Sequence, residues 1–219
     1  MADAAGNDIV IGPITEADVL IVIDPQIDFC PGGRLAVADG DAIMAGIAAL
    51  APRFAHVVVT QDWHPAGHSS FASSHAGRRP FDSVAMPYGE QLLWPDHCVQ
   101  ASAGAAFHPD IAAVVDQADL ILRKGTHPAI DSYSAFFEND KTTRTGLAGY
   151  LRDKGVRRCV FVGLAYDFCV GWSALDARRE GFEAVVLKDH SRAIAMPIAG
   201  GGTTRDAAEA QFRAAGVRF

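Results

Sequence analysis

Apolar residues along this chain gather into short continuous runs, and the runs are separated by stretches in which apolar positions recur at helical spacing. Ala17 to Ile23 is one such run, ending at Asp24-Pro25-Gln26, and Val57 to Thr60 is a second, ending at Gln61-Asp62-Trp63-His64. Runs this short and this rich in β-branched residues read as strands buried on both faces, as in parallel sheets. Between them Ile43, Ile47 and Leu50 share one helical face, with Asp41 placed to cap that helix. A short helix is expected over Ile111 to Asp116, a third strand over Ala118 to Leu122, and a helix marked by Leu147 and Leu151 that ends near Gly155. A fourth strand, Arg158 to Val162, leads through Gly163 into a helix carrying Val170, Ala174 and Ala177 on one face and stopping at Gly181. Ala184 to Leu187 is a fifth strand, and a helix around Ala207 to Ala215 precedes a short last strand at Val217 to Phe219. From His64 to about His108 no period is sustained. Six apolar or aromatic anchors there (Phe71, Phe81, Leu92, Leu93, Trp94 and Phe107) argue for an ordered, functional loop region.

Strands alternating with helices predict an α/β fold in three layers, a mostly parallel six-stranded sheet with helices on both faces. At 219 residues the chain has the length of one such domain, and 1–219 is read as a single unit. Acidic residues outnumber basic ones, 26 to 19, and no basic stripe is present, so nucleic acid is not the expected partner. No signal-like start and no run of about 20 apolar residues occurs, which leads to the expectation of a soluble, cytoplasmic chain, monomeric or homo-oligomeric, acting on a small molecule. Four cysteines (Cys30, Cys98, Cys159 and Cys169) without paired spacing argue against both a disulfide scaffold and a cysteine-rich structural zinc site.

Asp24, Asp62, Lys124 and Cys169 each fall just past the carboxyl end of an expected strand, where ligands bind in open α/β sheets. Singly, each has an ordinary reading: a turn residue, a cap, a solvated lysine, a small buried thiol. As a set they supply chemistry. A carboxylate takes the proton of a thiol and returns it to a leaving group, and an ammonium beside both keeps them charged. The expected position of Cys169, in the first turn of its helix, faces unpaired N–H groups that favour the thiolate. Cys159, Cys30 and Cys98 read as buried small hydrophobes. A second cluster is Asp62, His64 and the nearby His68, His75 and His97. At i and i+2 on a strand end Asp62 and His64 point the same way, as two ligands of zinc, iron or manganese would.

These residues resemble the nicotinamidase branch of the isochorismatase-like cysteine hydrolases. The matching pieces are Asp24-Pro25-Gln26-Ile27-Asp28-Phe29, Gln61-Asp62-Trp63-His64-Pro65, Trp94-Pro95-Asp96-His97-Cys98-Val99, Lys124-Gly125, Asp131-Ser132-Tyr133-Ser134-Ala135-Phe136 and Gly163-Leu164-Ala165-Tyr166-Asp167-Phe168-Cys169-Val170, in the family's order over nearly the whole chain. The resemblance implies an isochorismatase-like, Rossmann-like sheet; Asp24, Lys124 and Cys169 as catalytic triad; and Asp62, His64 and His97 as ligands of one divalent ion, zinc foremost, that positions a pyridine nitrogen. It also implies a cis peptide at Leu164–Ala165 and an oxyanion hole from the N–H groups of Ala165 and Cys169. Phe29 and Trp94 are expected to wall a flat aromatic pocket, with core packing as the competing role. The implied reaction is hydrolysis of nicotinamide, with pyrazinamide as a further substrate, through a cysteine thioester in NAD salvage. Tyr166 and Phe168 depart from the family's pattern beside the nucleophile, and His68 lies too near His64 for a ligand role to be assigned. Hydrolysis of carbamoyl or ureido amides, vinyl-ether hydrolysis and a non-catalytic metal or redox module are the competing readings. The Asp-x-His pair argues against the first, the cysteine against the second and the intact triad against the third.

Overall fold

The computed structural model describes residues 11–219. The main sheet has five strands: β1 (Asp18–Ile23), β2 (His56–Asp62), β5 (Leu120–Lys124), β6 (Arg158–Leu164) and β7 (Glu183–Arg192), all parallel and ordered β5-β2-β1-β6-β7. Side chains alternate across it as the two-residue period requires. On β1, Leu20 and Val22 enter one core and Val19, Ile21 and Ile23 the other. Helices α1 (Met44–Leu50) and α2 (Ala112–Gln117) cover the first face; α3 (Leu147–Asp153), α4 (Gly171–Arg179) and α5 (Thr204–Ala215) cover the second. No helix among the described residues is long and apolar enough to cross a membrane.

The strand count differs from expectation by one. The expected sixth strand at Val217 to Phe219 reduces to a single parallel bridge, Val185 to Arg218, with Arg218 donating to Ala184 O at 3.0 Å and accepting from Val186 N at 2.8 Å. Only Arg218 pairs with β7, and Phe219 turns its ring onto Phe212. Asp41 does not cap α1: it opens a 3-10 turn over Asp41–Ile43, and its side chain makes no capping bond. The third expected strand lies two residues further on, so Lys124 ends β5 rather than following it, and Asp62 likewise ends β2.

The 64–108 region is ordered and contains an antiparallel hairpin, β3 (Ser83–Met86) and β4 (Gly89–Leu92), turned at Pro87-Tyr88. Consecutive strands lie to one side of β1 through β2 and β5 and to the other through β6 and β7. The chain therefore reverses direction across the sheet between β1 and β6, and the crevice outside their carboxyl ends is the place such a sheet offers a ligand. Gly163, near the end of β6, meets β1 so closely (φ +111°) that an added Cβ would lie 2.1 Å from Ile23 O.

Candidate active site

Asp24 follows β1 directly, in the left-handed region at φ 45°, which aspartate tolerates better than most residues. Its Oδ1 accepts from Thr60 Oγ1 at 2.6 Å, and Thr60 Oγ1 in turn accepts from Asp24 N at 3.0 Å. Lys124, only 1 % exposed, brings Nζ to 2.8 Å from Asp24 Oδ2, 3.0 Å from Asp62 Oδ1, 3.0 Å from Ser132 O and 3.5 Å from Cys169 Sγ. An acid, an amine and a sulfur from β1, β5 and the segment after β6 thus meet in the crevice at the strand reversal. Beyond Nζ, Asp24 Oδ2 has no hydrogen-bond partner among the described residues, and Asp24 lies near enough to Cys169 to act on its thiol.

The segment between β6 and α4 is not the first turn of an α-helix. After a cis peptide at Leu164–Ala165 the chain makes a π-type turn over Tyr166–Val170, closed by Val170 N donating to Ala165 O at 3.1 Å, and α4 begins only at Gly171. Burial pushes the Cys169 thiol well above its usual range; Lys124 opposes this, while Asp24 and Asp62 add to it. Removal from water and two nearby carboxylates thus outweigh one ammonium and favour the thiol, against the preference for thiolate expected in the first turn of an α-helix. Burial, reinforced by Asp62 against the pull of Lys124, raises the Asp24 carboxyl. Burial alone would depress Lys124, but Asp24 and Asp62 hold its ammonium well above the usual range. Asp62 is the carboxylate that stays ionised: burial works against its charge, but His64 and Lys124 prevail and hold it well below normal.

Asp62, His64 and His97 form a buried group whose ligand atoms all lie within 4.8 Å of one another. His64 Nε2 and His97 Nε2 stand 2.9 and 3.2 Å from the same Asp62 oxygen. Each imidazole is fixed from behind, Nδ1 of His64 against Gly125 O at 3.0 Å and Nδ1 of His97 against Pro95 O at 2.8 Å. Such outer contacts select the tautomer that presents a free Nε2 to a metal. The donor set, two imidazoles and a carboxylate whose Oδ2 faces both of them while Lys124 holds its Oδ1, fits a divalent ion. Gly125 belongs to this arrangement: at φ +65° an added Cβ would lie 2.5 Å from His64 Cε1. His68 is spent elsewhere, Nδ1 on Ser70 Oγ at 2.8 Å and Nε2 on His127 O at 2.8 Å, and His75 Nε2 bonds Ser69 O at 2.8 Å.

Both clusters reach one narrow cavity, through Cys169 for the first and Asp62 and His97 for the second, bordered also by Ala165 and walled by aromatic rings. Phe29 and Trp94 are among these walls. They also belong to the core, so lining and packing are one role rather than alternatives. Tyr133 and Phe168 complete the wall: Phe168 stands edge-on to Trp94 at 5.0 Å, and Trp94 Nε1 donates to Tyr133 OH at 3.0 Å. Neither residue was expected in the pocket, although both lie in segments that match the family. Gln26, also unexpected, grips the backbone of Asp62 from both sides, accepting from Asp62 N at 2.7 Å and donating to Asp62 O at 2.8 Å. Its position in the Asp24-Pro25-Gln26 segment was the available signal.

Comparison with known proteins adds relatives to this geometry. A nicotinamidase of Acinetobacter baylyi is 52 % identical over 177 residues, covering 81 % of this chain and 82 % of the relative. A solved nicotinamidase/pyrazinamidase of Acinetobacter baumanii superposes with a TM-score of 0.88 at 46 % identity, over 93 % of this chain and 95 % of the other. A pyrazinamidase of Pyrococcus horikoshii, solved in complex with zinc, superposes with a TM-score of 0.72 at 33 % identity, over 92 % and 97 % of the two chains. Residues 18–197, from the start of β1 to beyond β7, match the Isochorismatase domain, and with that span and these relatives the chain belongs to the isochorismatase domain family.

Proposed function

We propose that this protein is a nicotinamidase, hydrolysing nicotinamide to nicotinate and ammonia, with pyrazinamide as a second substrate and nicotinate passing to NAD salvage. The observation that carries the reading is a single cavity, between flat aromatic walls, bordered by Cys169, which Lys124 ties to Asp24, and by Asp62 and His97, which form the metal-type group with His64. A planar heteroaromatic amide matches all three features.

In the proposed reaction Asp24 takes the thiol proton. Its raised carboxyl makes it a better base than an ordinary aspartate, and Lys124 Nζ, 3.5 Å from Sγ, stabilises the thiolate as it forms. The thiolate attacks the amide carbon, and the N–H groups of Ala165 and Cys169 receive the oxyanion. Asp24 returns its proton to the amide nitrogen, the C–N bond breaks and ammonia leaves. A water, deprotonated by Asp24, then adds to the thioester, and C–S cleavage releases nicotinate and restores the thiol. Asp62, His64 and His97 would hold a divalent ion, zinc by the nitrogen and oxygen donors and by the zinc complex of the relative; when bound it supplies a Lewis-acidic docking point for the ring nitrogen. Phe29, Trp94, Tyr133 and Phe168 hold the ring between apolar faces and keep water from the thiol.

Ammonia release from nicotinamide tests the reading. The purified protein should turn over nicotinamide, and Cys169→Ala should lower kcat/KM by at least about a thousandfold, the scale on which removal of a nucleophile acts, with an unchanged melting temperature. Absence of ammonia release by the wild type, or a C169A variant within tenfold of it, would overturn the assignment.

A further inference from the structure

The nucleophile turn has a second side. A recess of about 650 Å³, sharing no residue with the active-site cavity, is lined by Tyr166, Lys188, Asp189, Ser191, Arg192 and Arg205, together with Ala193. Three cations face one lining acid. Glu209, just outside, is already occupied by Lys188 at 3.0 Å, Arg205 at 3.5 Å and Arg213 at 3.3 Å.

Arg192 is the distinctive member. It has no carboxylate partner among the described residues. Among the described residues its hydrogen bonds run from Nη1 alone, to the carbonyls of Asp189 at 3.3 Å and Ser191 at 2.9 Å, which leaves Nε and Nη2 without an acceptor there. Beside it Ser191 is 4 % exposed, and its Oγ has no hydrogen-bond partner among the described residues. A buried hydroxyl with nothing to bond is uncommon in a folded chain and marks a place for a polar partner. The Tyr166 hydroxyl is only loosely held, 3.5 Å from Glu209 Oε1. An open guanidinium fork, an ammonium, a second guanidinium and a spare hydroxyl answer to a tetrahedral group with several anionic oxygens better than to a single carboxylate.

We propose that this recess binds a phosphate group, carried by inorganic phosphate or by a nucleoside monophosphate, with Arg192 as its bidentate ligand, Ser191 Oγ as a further donor, and Lys188 and Arg205 supplying charge. The site stands apart from the catalytic reading, and its test does not depend on turnover.

The test is a calorimetric titration of the metal-loaded protein with inorganic phosphate and, separately, with AMP, at constant ionic strength in chloride. Saturable binding of at least one is expected. Tighter AMP assigns a nucleotide, and equal affinities assign the phosphate group alone. Both Arg192→Ala and Arg192→Lys should weaken binding by about tenfold or more, since lysine keeps the charge and loses the fork. Ser191→Ala should weaken it about threefold, the scale of one neutral hydrogen bond. The surface double variant Lys188→Ala with Arg205→Ala, which leaves the Arg192 contacts in place, should also lose about tenfold. No saturable binding of either ligand by the wild type would overturn the proposal. So would an unchanged affinity in the folded R192A or K188A/R205A proteins, because the ligand would then sit elsewhere, on the metal included.

Discussion

Glu138 is a buried carboxyl, 8 % exposed, whose Oε2 has no partner among the described residues. Burial pushes it up to about 7, against the pull of a Ser132 hydrogen bond and of Lys124, and Asp131 and Asp140 add to the rise. Its folded value exceeds its unfolded value near 4.3, so between about pH 4 and 7 the folded chain binds the extra proton and stability falls as pH rises. Replacing it with glutamine removes the charge. After allowance for partial access to water, Glu138→Gln should be more stable than wild type by on the order of 2 kcal/mol at pH 8 and by little at pH 4.5. Urea unfolding at the two pH values checks this, and equal differences at both would refute the assignment. Gly125 gives a second residue-scale prediction. Because a Cβ there would press on the His64 ring, Gly125→Ala should weaken metal affinity by about tenfold to a hundredfold, the range seen when outer contacts of a ligand are disturbed, and should also lower the melting temperature of the chelated protein by a few degrees, since alanine is strained at φ +65°. Metal competition with a chromogenic chelator measures it. Neither effect was legible in the sequence. Gly125 and Glu138 reveal themselves only through what the fold packs against them, whereas Asp24, Lys124 and Cys169 were readable because each follows or ends an apolar run.

Among the elements, the buried strands announced themselves through continuous apolar runs, and β1, β2 and β6 fell within two residues of expectation at each end. The hairpin β3–β4 did not, because its eight strand residues are mostly exposed or half-exposed and carry no sustained alternation. The segment after β6 read as a helix from its apolar spacing. Its start was misplaced, since a π-type turn keeps the same buried residues while displacing the first α-helical position to Gly171. The start of α5 lay three residues before the expected Ala207, at a capping box in which Thr203 Oγ1 accepts from Asp206 N at 3.3 Å and Asp206 Oδ2 accepts from Thr203 N at 2.8 Å. Thr203→Ala should lower stability by about 1 kcal/mol in urea unfolding, and the loss should overlap that of Asp206→Ala in the double variant, because each side chain serves the other's backbone. Fully additive losses would mean the box does not act as a unit.

On the scale of the whole molecule the metal group ties separate parts of the chain together. Asp62 closes β2, His64 follows it, and His97 comes from the long loop beyond the hairpin, so an ion held by all three binds the folded chain and not the unfolded one. Binding of that kind stabilises by about 4 kcal/mol when the ion is at a thousand times its Kd, which for a chain of this length is on the order of 10 °C in Tm. Asp24, Lys124 and Cys169 reach the crevice from the end of β1, from β5 and from the turn after β6, and Lys124 is held by Asp24 and Ser132 as well as by Asp62. Chelation should therefore lower Tm by roughly that amount and raise KM for nicotinamide by at least about tenfold, while kcat at saturating substrate falls less, since positioning is lost and the nucleophile is not. Restoring zinc should recover both. A fully metal-free protein that kept its KM would show that the ring nitrogen is not held by the ion, and the group formed by Asp62, His64 and His97 would then serve only to brace the loop against β2.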